Sequence, residues 1–110
     1  MGAIQSQKTA TIANGQTVSG AVYIGDKLPV TLLMPAAFTG ATVSFQGSLD
    51  GSAYQAVNVG GAAYSETVAA SKNVTLDPSA FAGFRWIKVV SASAEAAARS
   101  VGVVMRKPGV

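Results

Sequence analysis

Histidine and cysteine are absent from this 110-residue sequence, and carboxylates number only five. Without cysteine there is neither a disulfide framework nor thiolate chemistry. Without histidine, a serine nucleophile would need a lysine such as Lys72 or Lys88 as its base, and nothing in the spacing singles out such a dyad. The carboxylates, Asp26, Asp50, Glu66, Asp77 and Glu95, are scattered singly. Glycoside hydrolysis needs two facing carboxyl groups, and calcium needs several converging oxygen ligands; the spacing predicts neither, so no enzyme activity, metal or cofactor is expected. Charged residues are only 12% of the chain, against roughly 25% in soluble domains. The net charge of +3 rests on eight basic residues, of which only Arg106 and Lys107 adjoin. With no basic stripe interleaved with aromatics, direct nucleic-acid binding is not expected. No apolar run approaches the roughly 18 residues of a membrane span. The stretch Met1–Lys8 has neither the basic nor the apolar region of a signal peptide, and Met1-Gly2 with Ser6 fits a myristoylation pattern only loosely.

What is present is β-structure in small pieces. Hydrophobic residues make up 49% of the chain, and short Val/Thr/Ala/Ser runs alternate with Gly-rich turns. Strand signals recur about every ten residues, the spacing of an all-β sandwich or barrel. The expected strands are Lys8–Ile12, closed by the Asn14-Gly15 turn, then Gln16–Ile24 and Leu28–Met34. In the last of these Leu28, Val30, Leu32 and Met34 alternate against Pro29, Thr31 and Leu33, and Pro29 marks a strand start or a sheet edge. Ala41–Ser48 has the cleanest period of two, with Val43 and Phe45 inward. It turns through Leu49-Asp50-Gly51 into Ala53–Val59, giving a hairpin. Ala63–Val68 and Asn73–Leu76 follow. Asp77-Pro78-Ser79-Ala80 reads as a helical turn capped by Asp77. Phe84–Ser91 is the strongest late strand. The Ala-rich stretch Ala92–Arg99, with Glu95 and Arg99 at i,i+4, is either one helical turn or a loop, and Ser100–Arg106 closes the domain with Val101, Val103 and Met105 inward. The sum is a single-domain antiparallel β-sandwich, jelly-roll-like, of about eight short strands. It would span residues 8–107, between an N-terminal arm (1–7) and a tail (108–110).

The candidate functional residues are contacts, not catalysts. Asp50 belongs to turn chemistry, bonding its own backbone beside Gly51. Trp86 has two readings. With Ile87 and Val89 in the core it faces outward beside Lys88, as an anchor for a partner subunit or a stacking surface for a sugar; with the opposite face inward, Trp86 and Val90 fill the core. Tyr23, Tyr54 and Tyr64 suit the edge of a core. The nearly uncharged arm, with Ile4 and Gln5, could add as a strand to a neighbour's sheet or stay free of the fold, and Arg106 and the tail could behave likewise. A surface this poor in charge suits a protein packed against neighbours.

Three phrases carry a family resemblance: Thr11-Ile12-Ala13-Asn14-Gly15-Gln16-Thr17-Val18-Ser19-Gly20, Val43-Ser44-Phe45-Gln46-Gly47-Ser48-Leu49-Asp50-Gly51, and Leu76-Asp77-Pro78-Ser79-Ala80-Phe81-Ala82-Gly83-Phe84-Arg85-Trp86-Ile87-Lys88-Val89. Together they resemble small tailed-bacteriophage virion β-sandwich proteins that decorate or cement capsids, a sandwich also found in tail and fibre modules. The Ser-x-Asp-Gly hairpin and the Arg-Trp-Ile-Lys-Val strand are also similar to discoidin-like, galactose-binding-like sandwiches, without the cysteines that close many of those. The resemblance implies a non-enzymatic protein on the virion capsid surface. Its partner would be the assembled shell of major capsid protein, and it would itself be a homo-oligomer, for which a trimer fits. The alternatives it implies are a carbohydrate-binding module of a tail or fibre and a tail or neck ring component.

Overall fold

The computed structural model describes residues 5–107. Two antiparallel sheets pack face to face. The first has strand order β1-β11-β3-β9, built from β1 (Gln5–Ile12), β11 (Arg99–Arg106), β3 (Leu28–Leu33) and β9 (Asn73–Thr75). The second has order β2-β10-β4-β5, from β2 (Val22–Tyr23), β10 (Trp86–Ser91), β4 (Thr42–Ser48) and β5 (Gln55–Ala56), with β8 (Ser65–Thr67) also paired to β4. A small hairpin of β6 (Asn58–Val59) and β7 (Ala62–Ala63) stands apart. This is the expected antiparallel β-sandwich, in more and shorter strands.

The core lies between the sheets and follows the period of two. Val43 and Phe45 of β4, Ile87 and Val89 of β10, and Val101, Val103 and Met105 of β11 are all buried. Removing such apolar side chains from water contributes roughly 1.5–3 kcal/mol each. Asp77 caps a 3-10 turn, Pro78–Phe81, its carboxylate accepting the Ser79 N–H at 3.1 Å. That turn drives Phe81 into the core, edge-on to Phe45 with ring centroids 5.0 Å apart.

Four expectations are corrected. β1 starts at Gln5, which pairs with Arg106, so Gln5–Gln7 belong to the domain's own sheet and do not form a free arm. Gln16–Ile24 is not one strand. It crosses between the sheets, bridging to β1 at Ser19 and to β10 at Val18, and only Val22–Tyr23 forms a ladder. In β3 the alternation breaks at a bulge: Val104 pairs with Thr31 but Met105 with Pro29, passing over Val30. An extra residue reverses the phase, so Pro29 is buried with Leu32 and Met34 while Val30 is not. Pro29 is tolerated because β9 pairs only with Thr31–Leu33. Finally, Ala53–Val59 breaks after Ala56, where Val57 turns into the core and its N–H donates to the Phe45 carbonyl at 2.9 Å.

Candidate functional site

The outer face of β2-β10-β4 carries Tyr23 and Trp86, with Tyr54 beside Lys88, whereas Tyr64 packs against the core next to Phe45 and Phe81. Because Ile87 and Val89 are fully buried, strand alternation turns Trp86, Lys88 and Val90 outward. Trp86 is therefore not a core residue. Its indole is nonetheless occupied: Tyr23, its cross-strand partner on β2, packs against it with centroids 4.9 Å apart and planes at 58°. On the other side lies Gly51, where an added Cβ would come within 3.0–3.3 Å of the indole atoms Cε2, Cδ2 and Cζ2. Gly51 also has φ +79°, which the β4–β5 turn requires and a side chain would resist. Tyr23 is the more accessible ring, at 46% exposure.

Lys88 continues the row. Its ammonium lies 4.3 Å from the centroid of the Tyr54 ring, a cation–π geometry, and Gln46 is its cross-strand neighbour on β4. Tyr23, Trp86 and Lys88 thus come together on one face. Arg106 is exposed at the far end of the other sheet, paired in register with Gln5 and Leu28. Ile4 lies outside the described residues, as does the tail, 108–110.

Three carboxylates are consumed by the fold. Asp50 accepts from the backbone N–H of Ser52 at 2.8 Å and of Ala53 at 3.1 Å, and from the Ser48 hydroxyl at 3.0 Å. These bonds hold its carboxyl below the usual range. Asp77 is the turn cap, and its own N–H donates to the Tyr64 hydroxyl at 2.8 Å. That hydroxyl donates to Glu66 at 2.6 Å, and burial, with the Glu66 carboxylate beside it, pushes Tyr64 up to about 12. No cluster of three or more metal-ligating side chains occurs among the described residues.

Glu95 is the residue whose role sequence reasoning missed. The i,i+4 pair with Arg99 exists, at 3.0 Å, but in a loop and not in a helix, and Glu95 is 1% exposed. Its carboxylate accepts the N–H groups of Thr39 at 2.9 Å and Gly40 at 3.2 Å, and the Ser91 hydroxyl at 3.0 Å. Its backbone bonds Gly15 and Gln16. Burial opposes its ionisation, but the Thr39, Arg99, Ser91 and Gly40 donors outweigh it and keep the carboxyl below its ordinary value. An acid only four residues from an arginine reads as a surface pair; the donors that bury it lie some fifty residues away.

Neither a protein-family model nor a curated protein sequence matches the chain. Among solved structures, it is similar to the SPBc2 prophage-derived protein YomS, with a TM-score of 0.55 and 13% identity over 96% of this chain and 97% of that one. The likeness is one of fold. Weaker similarity extends to the Yersinia pseudotuberculosis-derived mitogen, with a TM-score of 0.41 and 11% identity over 98% of this chain and 89% of that one. It extends also to CBM32-1 of a family 31 glycoside hydrolase from Clostridium perfringens, with a TM-score of 0.40 and 14% identity over 94% of this chain and 75% of that one. No helix among the described residues is long and apolar enough to cross a membrane.

Proposed function

We propose that this domain is a non-enzymatic structural protein of a phage virion, a decoration protein that binds the assembled major-capsid shell and stabilises it. The observation that carries this reading is the outer face of β2-β10-β4: a packed Tyr23–Trp86 pair flanked by Lys88 on a surface with few charges. Tryptophan and tyrosine are enriched among the side chains that anchor protein partners. The end-to-end likeness of fold to a prophage-derived protein of matching span supports the same setting. The mechanism is thermodynamic. A subunit that binds only the closed shell shifts assembly toward that shell by mass action, and a modest energy per site is multiplied over its many copies. Contacts would come from Tyr23, Trp86 and Lys88, with Gln5 and Arg106 at the end of the other sheet and Ile4 from the segment before it in sequence, in a homo-oligomer such as a trimer.

Co-sedimentation of the purified protein with capsids that lack it, combined with heat release of packaged DNA, tests the reading. Stoichiometric binding that raises the release temperature is the expected result. Protein left in the supernatant, with capsid integrity unchanged, would overturn it. Glycan recognition by a tail or fibre module is the second reading, favoured by the exposure of Tyr23 next to Lys88 and Gln46. It ranks lower because Tyr23 and Gly51 already lie against the Trp86 ring that a sugar would stack on. Saturable oligosaccharide binding would bring it forward, and ring assembly without shells would favour a tail or neck component.

A further inference from the structure

At one end of the sandwich the two sheets do not close on each other. The pairing of β1 with β11 sets Ser6 opposite Met105 and Lys8 opposite Val103. Directly opposed residues share a face, and Val103 and Met105 are buried. Ser6 and Lys8 therefore lie on the inner side, where neighbouring strands carry apolar residues. The lysine reaches out to the rim, its ammonium donating to the Tyr23 carbonyl at 3.0 Å and lying 5.3 Å from the Tyr23 ring centroid. The space it leaves is a cleft of about 430 Å³ floored by Ile24 and Met105 and walled by Lys8, Lys27 and Arg85. A second cleft of about 290 Å³ shares Gly25, Asp26 and Arg85 with the first and continues to Leu49. A third, of about 270 Å³, shares Leu49 and Phe84 with the second. The three form one groove across the end of the domain, basic on the β1 side and apolar at Leu49, which is 67% exposed.

We propose that this groove binds an extended segment of another protein that carries carboxylates followed by an apolar residue. The carboxylates meet Lys8, Lys27 and Arg85, and the apolar side chain meets Leu49 and Phe84. Charge complementarity fixes the acidic half. Two carboxylates line the groove: Asp26 is already 3.7 Å from the Lys107 ammonium, and Asp50, beside Leu49 at the far end, is held by the Ser48 hydroxyl and the N–H groups of Ser52 and Ala53. Lys27 donates to Ser6 Oγ at 3.1 Å, a neutral partner, and Arg85 makes no ion pair among the described residues. A second copy of the chain does not fit. Glu95 is buried, Asp50 and Asp77 cap turns, and Glu66 accepts from Tyr64, which leaves no free acidic run to offer. Nucleic acid matches the cations but not the exposed leucine at the other end. The inference holds whatever larger structure the partner belongs to, so it stands or falls apart from the capsid reading.

The test is an amide-shift titration of the isotopically labelled full chain. The probe is a synthetic decapeptide with three consecutive glutamates followed by two leucines, compared with its Glu→Gln version and with a single-stranded DNA decamer. The expected result is saturable shifts at Ser6, Lys8, Gly25, Lys27, Arg85 and Leu49, weakened by salt and roughly tenfold weaker for the Gln peptide. Arg85→Gln with Lys8→Gln should cost a similar factor. Leu49→Ser should cost a few-fold and leave the salt dependence unchanged. All three positions are exposed, and each variant's amide spectrum reports its folding. Shifts elsewhere, equal binding of both peptides, no shift at millimolar peptide, or tighter binding of the DNA at the same amides would overturn the proposal.

Discussion

The two ends of this sandwich treat charge in opposite ways. At one end, the Asn14-Gly15 turn, the Phe38–Gly40 connection and the Ala92–Arg99 loop are drawn together by Glu95, whose carboxylate collects two backbone N–H groups, a hydroxyl and a guanidinium. At the other end, where β1 begins and β11 finishes, Lys8, Lys27 and Arg85 surround a cleft in which Asp26 is the one lining carboxylate. At the first end the fold itself uses the buried carboxylate, which contributes stability. The second holds cations that form no ion pair among the described residues, which is where recognition is to be sought. In a chain with only 12% charged residues, that asymmetry distinguishes the ends more sharply than their shape does.

Breaking the closed end should have the largest effect. Glu95→Ala leaves the Thr39 and Gly40 N–H groups and the Arg99 guanidinium without their acceptor, and is expected to cost about 3 kcal/mol, read by urea denaturation. A loss below about 1 kcal/mol would mean that water takes over the role of the carboxylate. Gly40→Ala comes next. An added Cβ would collide with Ser91 Oγ and approach the Phe38 ring to 3.1 Å, and Ser91 cannot yield without releasing Glu95. About 1–3 kcal/mol is expected, and a wild-type melting temperature would refute the close packing described for Gly40.

Acid should expose the same end. Because the folded-state pKa of Glu95 is lowered, its contribution is complete above the ordinary glutamate value of about 4.3. It is then lost as pH falls through the folded value. Melting temperature should therefore drop through that window, with a shallower acid limb in Glu95→Gln. Some slope should persist, since the Asp50 carboxyl is lowered as well. Identical limbs would remove Glu95 from the account. The smallest effects belong to the open end: Arg85→Gln and Leu49→Ser should change stability by less than about 0.5 kcal/mol. A larger loss in denaturation would make the groove a structural element.

The architecture was legible wherever a strand keeps one face buried along its length. Val43 and Phe45, Ile87 and Val89, and Val101, Val103 and Met105 announce their strands by period alone. Legibility failed where backbone geometry broke the period. The bulge passing over Val30 reverses a pattern that residue types cannot reveal, and Gln16–Ile24 alternates convincingly while spending its hydrogen bonds on two different sheets. Trp86 was ambiguous because both faces of its strand are apolar; only the burial of Ile87 and Val89 decides it. The clustering of Lys8, Lys27 and Arg85 left no local trace, since register across the sheets, not spacing along the chain, brings them together.

The pairing of Gln5–Ile12 with Arg99–Arg106 has a consequence for timing. The first strand's ladder partner is the last strand of the fold, so on the ribosome it must wait for nearly the whole domain to be synthesised. Contacts of such long sequence separation fold slowly, in milliseconds to seconds, and an eight-residue strand without its partner is a target for foreign edges. The same inward lysine that opens the groove in the finished protein puts a charge in the middle of that strand while it waits.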